Sequence, residues 1–231
     1  MAESLNVGFL LLPRLTQLDL TGPYEVFARL PGAAVRLVWK TLDPVKADTG
    51  LAVLPDTTLA ECPQLDLVCV PGGPGVAAVM EDAEALDFLR RQAAGARYVT
   101  SVCTGALALG AAGLLRGKRA TTHWASHDFL PALGATPVDG RVARDGNLFT
   151  GGGVTAGIDF ALTIAAEIAG PEAAQAVQLQ MEYAPSPPFD AGTPMTAPAP
   201  VLEAAKRRGS AMRAEREALV GRVAAKLASA A

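Results

Sequence analysis

Short continuous apolar runs alternate with helix-spaced stretches along most of the chain. Asn6-Val7-Gly8-Phe9-Leu10-Leu11-Leu12, ended by Pro13, has the pattern of a buried parallel strand, Leu65 to Val70 reads as another, and Val35 to Trp39 and Arg97 to Val102 as further strands. Between them, Asp19-Leu20-Thr21-Gly22-Pro23 predicts a turn, with Pro23 opening a helix through Leu30 where its missing N–H costs nothing. Leu86 and Leu89 share one face of a helix running to about Ala94, and Thr104 to Ala112 predicts a helix of small residues. Leu51 to Thr58, broken by Pro55, predicts an edge hairpin. Val142 to Phe149 predicts a second hairpin turning at Asp145-Gly146. Gly151-Gly152-Gly153 leads into an apolar helix from about Val154 to Ala169, and Pro171 opens another to about Tyr183. Residues 184–200 are rich in proline and predict an irregular loop. After them Leu, Val and Ala alternate with Arg, Lys and Glu at helical spacing.

Strands alternating with helices predict an α/β fold, a mostly parallel sheet covered on both faces. We divide it into a domain of residues 1–198 and a helical extension of residues 199–231, packed on the domain or on a dimer partner. Ligands of such sheets bind beyond the carboxyl ends of the strands. Asp19, the loop Pro71-Gly72-Gly73-Pro74-Gly75 and Cys103 each follow a predicted strand end, and that convergence marks a site.

Composition narrows the classes. Of 231 residues half are hydrophobic but only 5% aromatic, so the core is built mainly from Ala, Val and Leu. Twenty basic against 23 acidic residues leave a net charge of −3, which gives no general attraction to nucleic acid or an anionic membrane. No apolar run reaches the roughly 18–20 residues of a membrane span, and Met1-Ala2-Glu3-Ser4 lacks the start of a signal peptide. A cytoplasmic protein is expected. The three cysteines, Cys62, Cys69 and Cys103, form no CxxC pair, and with two histidines no metal site is expected.

The densest chemical signal is Ser101-Val102-Cys103-Thr104-Gly105. A nucleophile on a sharp strand-to-helix turn needs small residues two before and two after it, and this segment has them. The start of the following helix favours a thiolate at Cys103. The alternative is a buried core cysteine, the usual fate of a free thiol. Cys69, inside an apolar strand, reads as core, and Cys62 has no assigned role. Gly72 and Gly73 let the backbone approach closely, so their N–H groups, with that of Thr104, are candidate donors to developing charge. Asp19, between Leu18 and Leu20, reads either as a turn or capping aspartate or as an acid whose burial raises its pKa and suits it to carry protons. His123 and His127 border a further strand without a definite role. Gly151 to Gly153 mark either a hinge or a plain helix start.

The elbow, the Pro-Gly-Gly loop and the acid after the first strand together resemble the DJ-1/PfpI superfamily. The stretches LDLTGP, VPGGPGV, YVTSVCTGALALGAAGLL, RATTHWA, RDGNLFTGGGVTAGIDFAL and QLQMEYAPSPPF are similar to its isonitrile hydratase branch. The resemblance implies flavodoxin-like subunits, a homodimer, and no metal or organic cofactor. It implies hydration of a small-molecule isonitrile to an N-substituted formamide, with Cys103 as nucleophile, Asp19 as general acid/base, Thr104 beside the thiol, and Gly72 and Gly73 in the donor loop. Thr104 stands where peptidase and glyoxalase branches often carry histidine, and Asp19 where many carry glutamate, which argues against those activities. A thiol redox sensor and a ligand-sensing domain remain as rival readings, the second without a helix-turn-helix pair in this chain.

Overall fold

The apolar runs pair with one another as the middle of a single sheet. The computed structural model describes residues 5–229; the first four residues, read above for a targeting segment, and the last two of the predicted extension lie outside them. The chain runs β1 (Leu5–Leu10), α1 (Gln17–Phe27), β2 (Ala33–Trp39), β3 (Val45–Lys46), β4 (Ala52–Val53), β5 (Thr57–Thr58), β6 (Leu67–Val70), α2 (Val76–Val79), α3 (Ala83–Gly95), β7 (Tyr98–Val102) and α4 (Gly105–Ala111). It continues through β8 (Arg119–Ala120), two 3-10 turns at Trp124–Phe129 and Pro131–Leu133, β9 (Thr136–Pro137), β10 (Val142–Asp145), β11 (Leu148–Gly151), α5 (Ala156–Ala169), α6 (Pro171–Gln180) and α7 (Ala199–Ser229).

Seven strands lie in the order β10-β11-β7-β6-β1-β2-β5. All neighbours are parallel except β10, which turns back antiparallel on β11 at the predicted Asp145-Gly146. The mostly parallel sheet with helices over it is the expected fold class. Its centre is apolar on both faces: Val7, Phe9, Leu67, Val68, Cys69 and Val70 are all fully buried. Because β1, β6 and β7 are adjacent and parallel, the segments leaving them emerge side by side at one edge. This places Asp19, the 71–75 loop and Cys103 together.

Two local expectations change. Asp19 and Pro23 lie inside α1, which begins at Gln17, instead of in a turn before it. A proline there removes one N–H and crowds the carbonyl four residues back, which is that of Asp19 in the first turn. Burial outweighs the loss: Leu20, Gly22, Pro23, Val26 and Phe27 are buried. A Cβ at Gly22 would lie 3.1 Å from Ile158 of α5, and Phe27 meets Phe160 edge-on at 6.1 Å. The predicted hairpin at 51–58 is split, with β4 pairing with β3 and β5 extending the main sheet beside β2.

The helix α7 lies across the two 3-10 turns and α4 of its own domain. It buries Leu219, Val220 and Val223 there, and Arg213–Asp128 and Arg222–Glu81 ion pairs fasten its flanks. Among the described residues no helix is long and apolar enough to cross a membrane.

Candidate active site

The turn after β7 is built around Cys103. Its φ of 54° is left-handed, a conformation costing a non-glycine residue about 1–3 kcal/mol, and three contacts hold it there. The Cys103 N–H donates to Gly151 O at 3.0 Å, extending the β7–β11 ladder. Thr122 Oγ1 donates to the Cys103 carbonyl at 2.6 Å. Any side chain at Gly105 would drive its Cβ to 2.0 Å from Val70 O, so only glycine lets α4 start so close to β6. These contacts hold a sharp strand-to-helix turn, and they leave Cys103 6% exposed at the wall of a cleft.

Asp19 comes to the same point from α1 and is fully buried. The Gly72 N–H donates to its Oδ2 at 2.9 Å, while Oδ1 is buried without a hydrogen-bond partner. Thr16 N–H donates to Gly72 O at 2.9 Å and so ties the start of α1 to the loop. A Cβ on Gly72 would lie 2.6 Å from Asp19 Oδ2, 2.6 Å from Thr104 N and 2.9 Å from Cys103 Cβ. The Asp19 carboxyl, the Thr104 amide and the Cys103 β-carbon thus converge on Gly72, where there is no room for a side chain.

The glycine loop plays a different part from that expected, and Thr104 lies beside the thiol as expected. The Gly73 N–H donates to Thr104 Oγ1 at 2.9 Å, and that hydroxyl donates to Gly73 O at 3.3 Å. Since Gly72 N–H is held by Asp19, both loop donors are engaged in fixing the acid and Thr104. They do not stand free to receive developing charge. The Thr104 N–H and hydroxyl are instead the groups that favour charge on sulfur.

The raised Asp19 carboxyl follows expectation, and the state of Cys103 departs from it. Burial pushes the Asp19 carboxyl up to about 7, against the opposing pull of the Gly72 hydrogen bond and the nearby Cys103 thiol. Cys103 is pushed above the ordinary thiol range, first by burial and then by the charge of Asp19, and Thr104 only partly counters this. The expectation of a resting thiolate at the helix start is corrected: burial of the sulfur, and after it the carboxylate beside it, outweigh the start of the short α4. In the resting site the proton sits on sulfur, with the carboxyl beside it poised near neutrality.

The cleft has a volume of about 700 Å³. Cys103, Thr104, Gly73 and Thr16 form its floor side, while Trp124, Val154, Pro74 and Met212 give it apolar wall. Sequence reasoning missed the contribution of α7. Ala205, Lys206, Gly209, Met212, Arg213 and Arg216 all line the cleft, and their spacing of three and four residues was visible without revealing what the face would cover. His123 borders the cleft with its Nδ1 accepting from Ala125 N–H at 3.3 Å, and burial followed by the Arg216 charge holds its pKa down. His127 Nε2 lies 3.0 Å from Val138 O and has a structural role. Cys69 is buried in β6 with its thiol pushed up to about 12 by burial, and Cys62 donates to Pro63 O at 3.5 Å. None of Gly151, Gly152 and Gly153 has a left-handed φ. No group of three or more His, Cys, Asp or Glu able to hold a metal occurs among the described residues.

Comparison with known proteins gives a consistent picture. The profile of the DJ-1/PfpI family matches residues 6–167. The isonitrile hydratase of Pseudomonas putida is 63% identical over 224 residues, covering 97% of this chain and 98% of that protein. A ThiJ/PfpI family protein from Pseudomonas syringae superposes with a TM-score of 0.93 at 44% identity, over 95% of this chain and 92% of its own. Drosophila melanogaster DJ-1beta superposes with a TM-score of 0.72 at 30% identity, over 79% of this chain and 100% of its own. That shorter relative leaves about a fifth of this chain unmatched.

Proposed function

The chain belongs to the DJ-1/PfpI family, and we propose that it is an enzyme hydrating isonitriles, R–NC, to N-substituted formamides, a lyase acting through Cys103. The observation that carries this reading is the convergence of the Asp19 carboxyl, the Thr104 amide and the Cys103 β-carbon on Gly72, beside a cleft that Cys103 and Thr104 line.

The protonation states set the order of events. Ionised Asp19 takes the proton from the Cys103 thiol as the sulfur pair forms an S–C bond to the terminal isonitrile carbon. The lone pair of that carbon then accepts the proton from Asp19, giving a covalent thioimidate, Cys103–S–CH=N–R. Water adds across the C=N bond, with its hydroxyl on carbon and a proton on nitrogen. Asp19 takes the remaining hydroxyl proton as the C–S bond breaks, the electron pair returns to sulfur, and the proton follows it. The products are R–NH–CHO and the original thiol. One covalent intermediate replaces a difficult direct hydration with two easier steps.

In this scheme Thr104 supplies hydrogen bonds to sulfur, while Gly72 and Gly73 hold Asp19 and Thr104 in register. Every atom and electron is accounted for by substrate and water, so the reaction calls for no metal or organic cofactor. We place the protein in the cytoplasm, where three free thiols suit a reducing compartment, and assign it a homodimer. Leu42, Leu51 and Leu54, exposed around the β3–β4 hairpin, offer an apolar face for the second copy. We treat residues 1–198 as the catalytic domain and 199–231 as an extension that closes it.

Purified protein incubated with one alkyl and one aryl isonitrile should release the matching formamides. Stopped during turnover, it should carry the substrate mass on Cys103. Native-rate hydration by Cys103→Ala would overturn the assignment.

A further inference from the structure

A buried cation without an acidic partner stands in the wall of this same cleft. Arg216, on α7, is 8% exposed and shares the cleft with Cys103. Its Nη1 donates to Ser126 Oγ at 3.0 Å, whereas Nε is buried without a hydrogen-bond partner. The two other cations that α7 brings to the cleft are matched, Arg213 by Asp128 and Lys206 by Glu203. Asp48, the one acidic residue among the described lining, accepts from Thr16 Oγ1 at 3.0 Å.

Taking a guanidinium out of water is expensive unless opposite charge or a full set of hydrogen bonds offsets it. One hydroxyl offsets one N–H. The edge formed by Nε and Nη2 has no acceptor, and it is the planar fork that matches the two oxygens of a carboxylate. An isonitrile bonded through its terminal carbon to Cys103 would project its R group into the cleft, whose apolar lining includes Trp124, Val154 and Met212. Resting on the hydratase reading above, we propose that Arg216 anchors an anionic group on R, so that the substrates this site is built for are isonitriles bearing a carboxylate. Arg216 is then a specificity-determining residue for the reaction.

The test compares kcat/KM for the isocyanoacetate anion and for its methyl ester in wild type, Arg216→Met and Arg216→Lys. Wild type should prefer the anion, and the anion-to-ester ratio should fall at least tenfold in Arg216→Met, chiefly through KM. Arg216→Lys should keep part of the preference. An unchanged ratio in Arg216→Met, or an equal loss on both substrates, overturns the proposal; equal loss would mean that the guanidinium serves the Cys103–Asp19 pair. Wild type that hydrates the ester but not the anion removes the carboxylate anchor alone, while wild type that hydrates neither removes the hydratase reading with it. Inhibition of the wild type by the product N-formylglycine should be at least tenfold stronger than by its methyl ester. Equal inhibition overturns the proposal without recourse to any variant.

Discussion

Asp19→Asn should make the protein more stable, and only above acidic pH. Burial raises this carboxyl from 3.8 to about 7. Below pH 4 the group is protonated in both the folded and the unfolded chain and contributes nothing. Between about 4 and 7 the folded state keeps a proton that the unfolded chain releases, so the fold loses stability as pH rises. Above about 7 the whole penalty is present. The separation is about 3 pH units, and at about 1.4 kcal/mol per unit it amounts to roughly 4 kcal/mol against the fold. Asparagine has the same shape, carries no charge, and keeps an oxygen for the Gly72 N–H. Urea unfolding followed by circular dichroism should show the variant more stable by up to about 4 kcal/mol at pH 8, or roughly 8–16 °C in Tm for a chain of this size. The difference should shrink to nothing near pH 4. An offset independent of pH, or a variant less stable than wild type at pH 8, would refute the argument.

The same ionisation governs rate with the opposite sign, because Asp19 must be charged to take the thiol proton. Across pH 5 to 9, kcat/KM should rise to a plateau with its midpoint near 7, and at pH 5 it should be on the order of a hundredfold below the plateau; a flat profile counts against the assigned base. Gly72→Ala puts a methyl 2.6 Å from both Asp19 Oδ2 and Thr104 N, and the resulting displacement should lower turnover by about a hundredfold or more while cooperative unfolding is retained. Turnover within twofold of wild type would show that the site tolerates looser packing. Alkylation by iodoacetamide at pH 7 should be slower at Cys103 than for free cysteine, as read by peptide mass mapping, because burial and the Asp19 charge hold the thiol protonated. Faster labelling would indicate a resting thiolate.

Much of the fold was legible because buried parallel strands have a plain signature. Leu67 to Val70 is apolar throughout, Tyr98 to Val102 is buried throughout, and each is followed by turn residues. Cys103 was legible for a related reason: the crowded elbow dictates its neighbours, Ser101 and Gly105. The proximity of Asp19 followed from strand ends sharing one edge, although its helix did not, since Pro23 reads as a helix start and only packing against α5 makes it a helix interior. The ionisation of the pair was not legible. The sequence shows a thiol ahead of a helix, but its shift is set first by burial of the sulfur and then by a carboxylate reaching it from 84 residues earlier. Nor was Arg216 legible, because helical spacing states which residues share a face and not what that face covers.

One wall of the cleft is written in a single uninterrupted stretch. Ala205, Gly209, Met212 and Arg216 recur every three or four residues along α7, while Cys103, Asp19 and the 71–75 loop belong to other parts of the chain. The anchoring apolar residues Leu219, Val220 and Val223 lie beyond that stretch. A library randomised at those four codons alone would therefore sample new R-group tolerances with the bond-making machinery held constant, and a descendant lineage would have the same short route to a different diet of substrates.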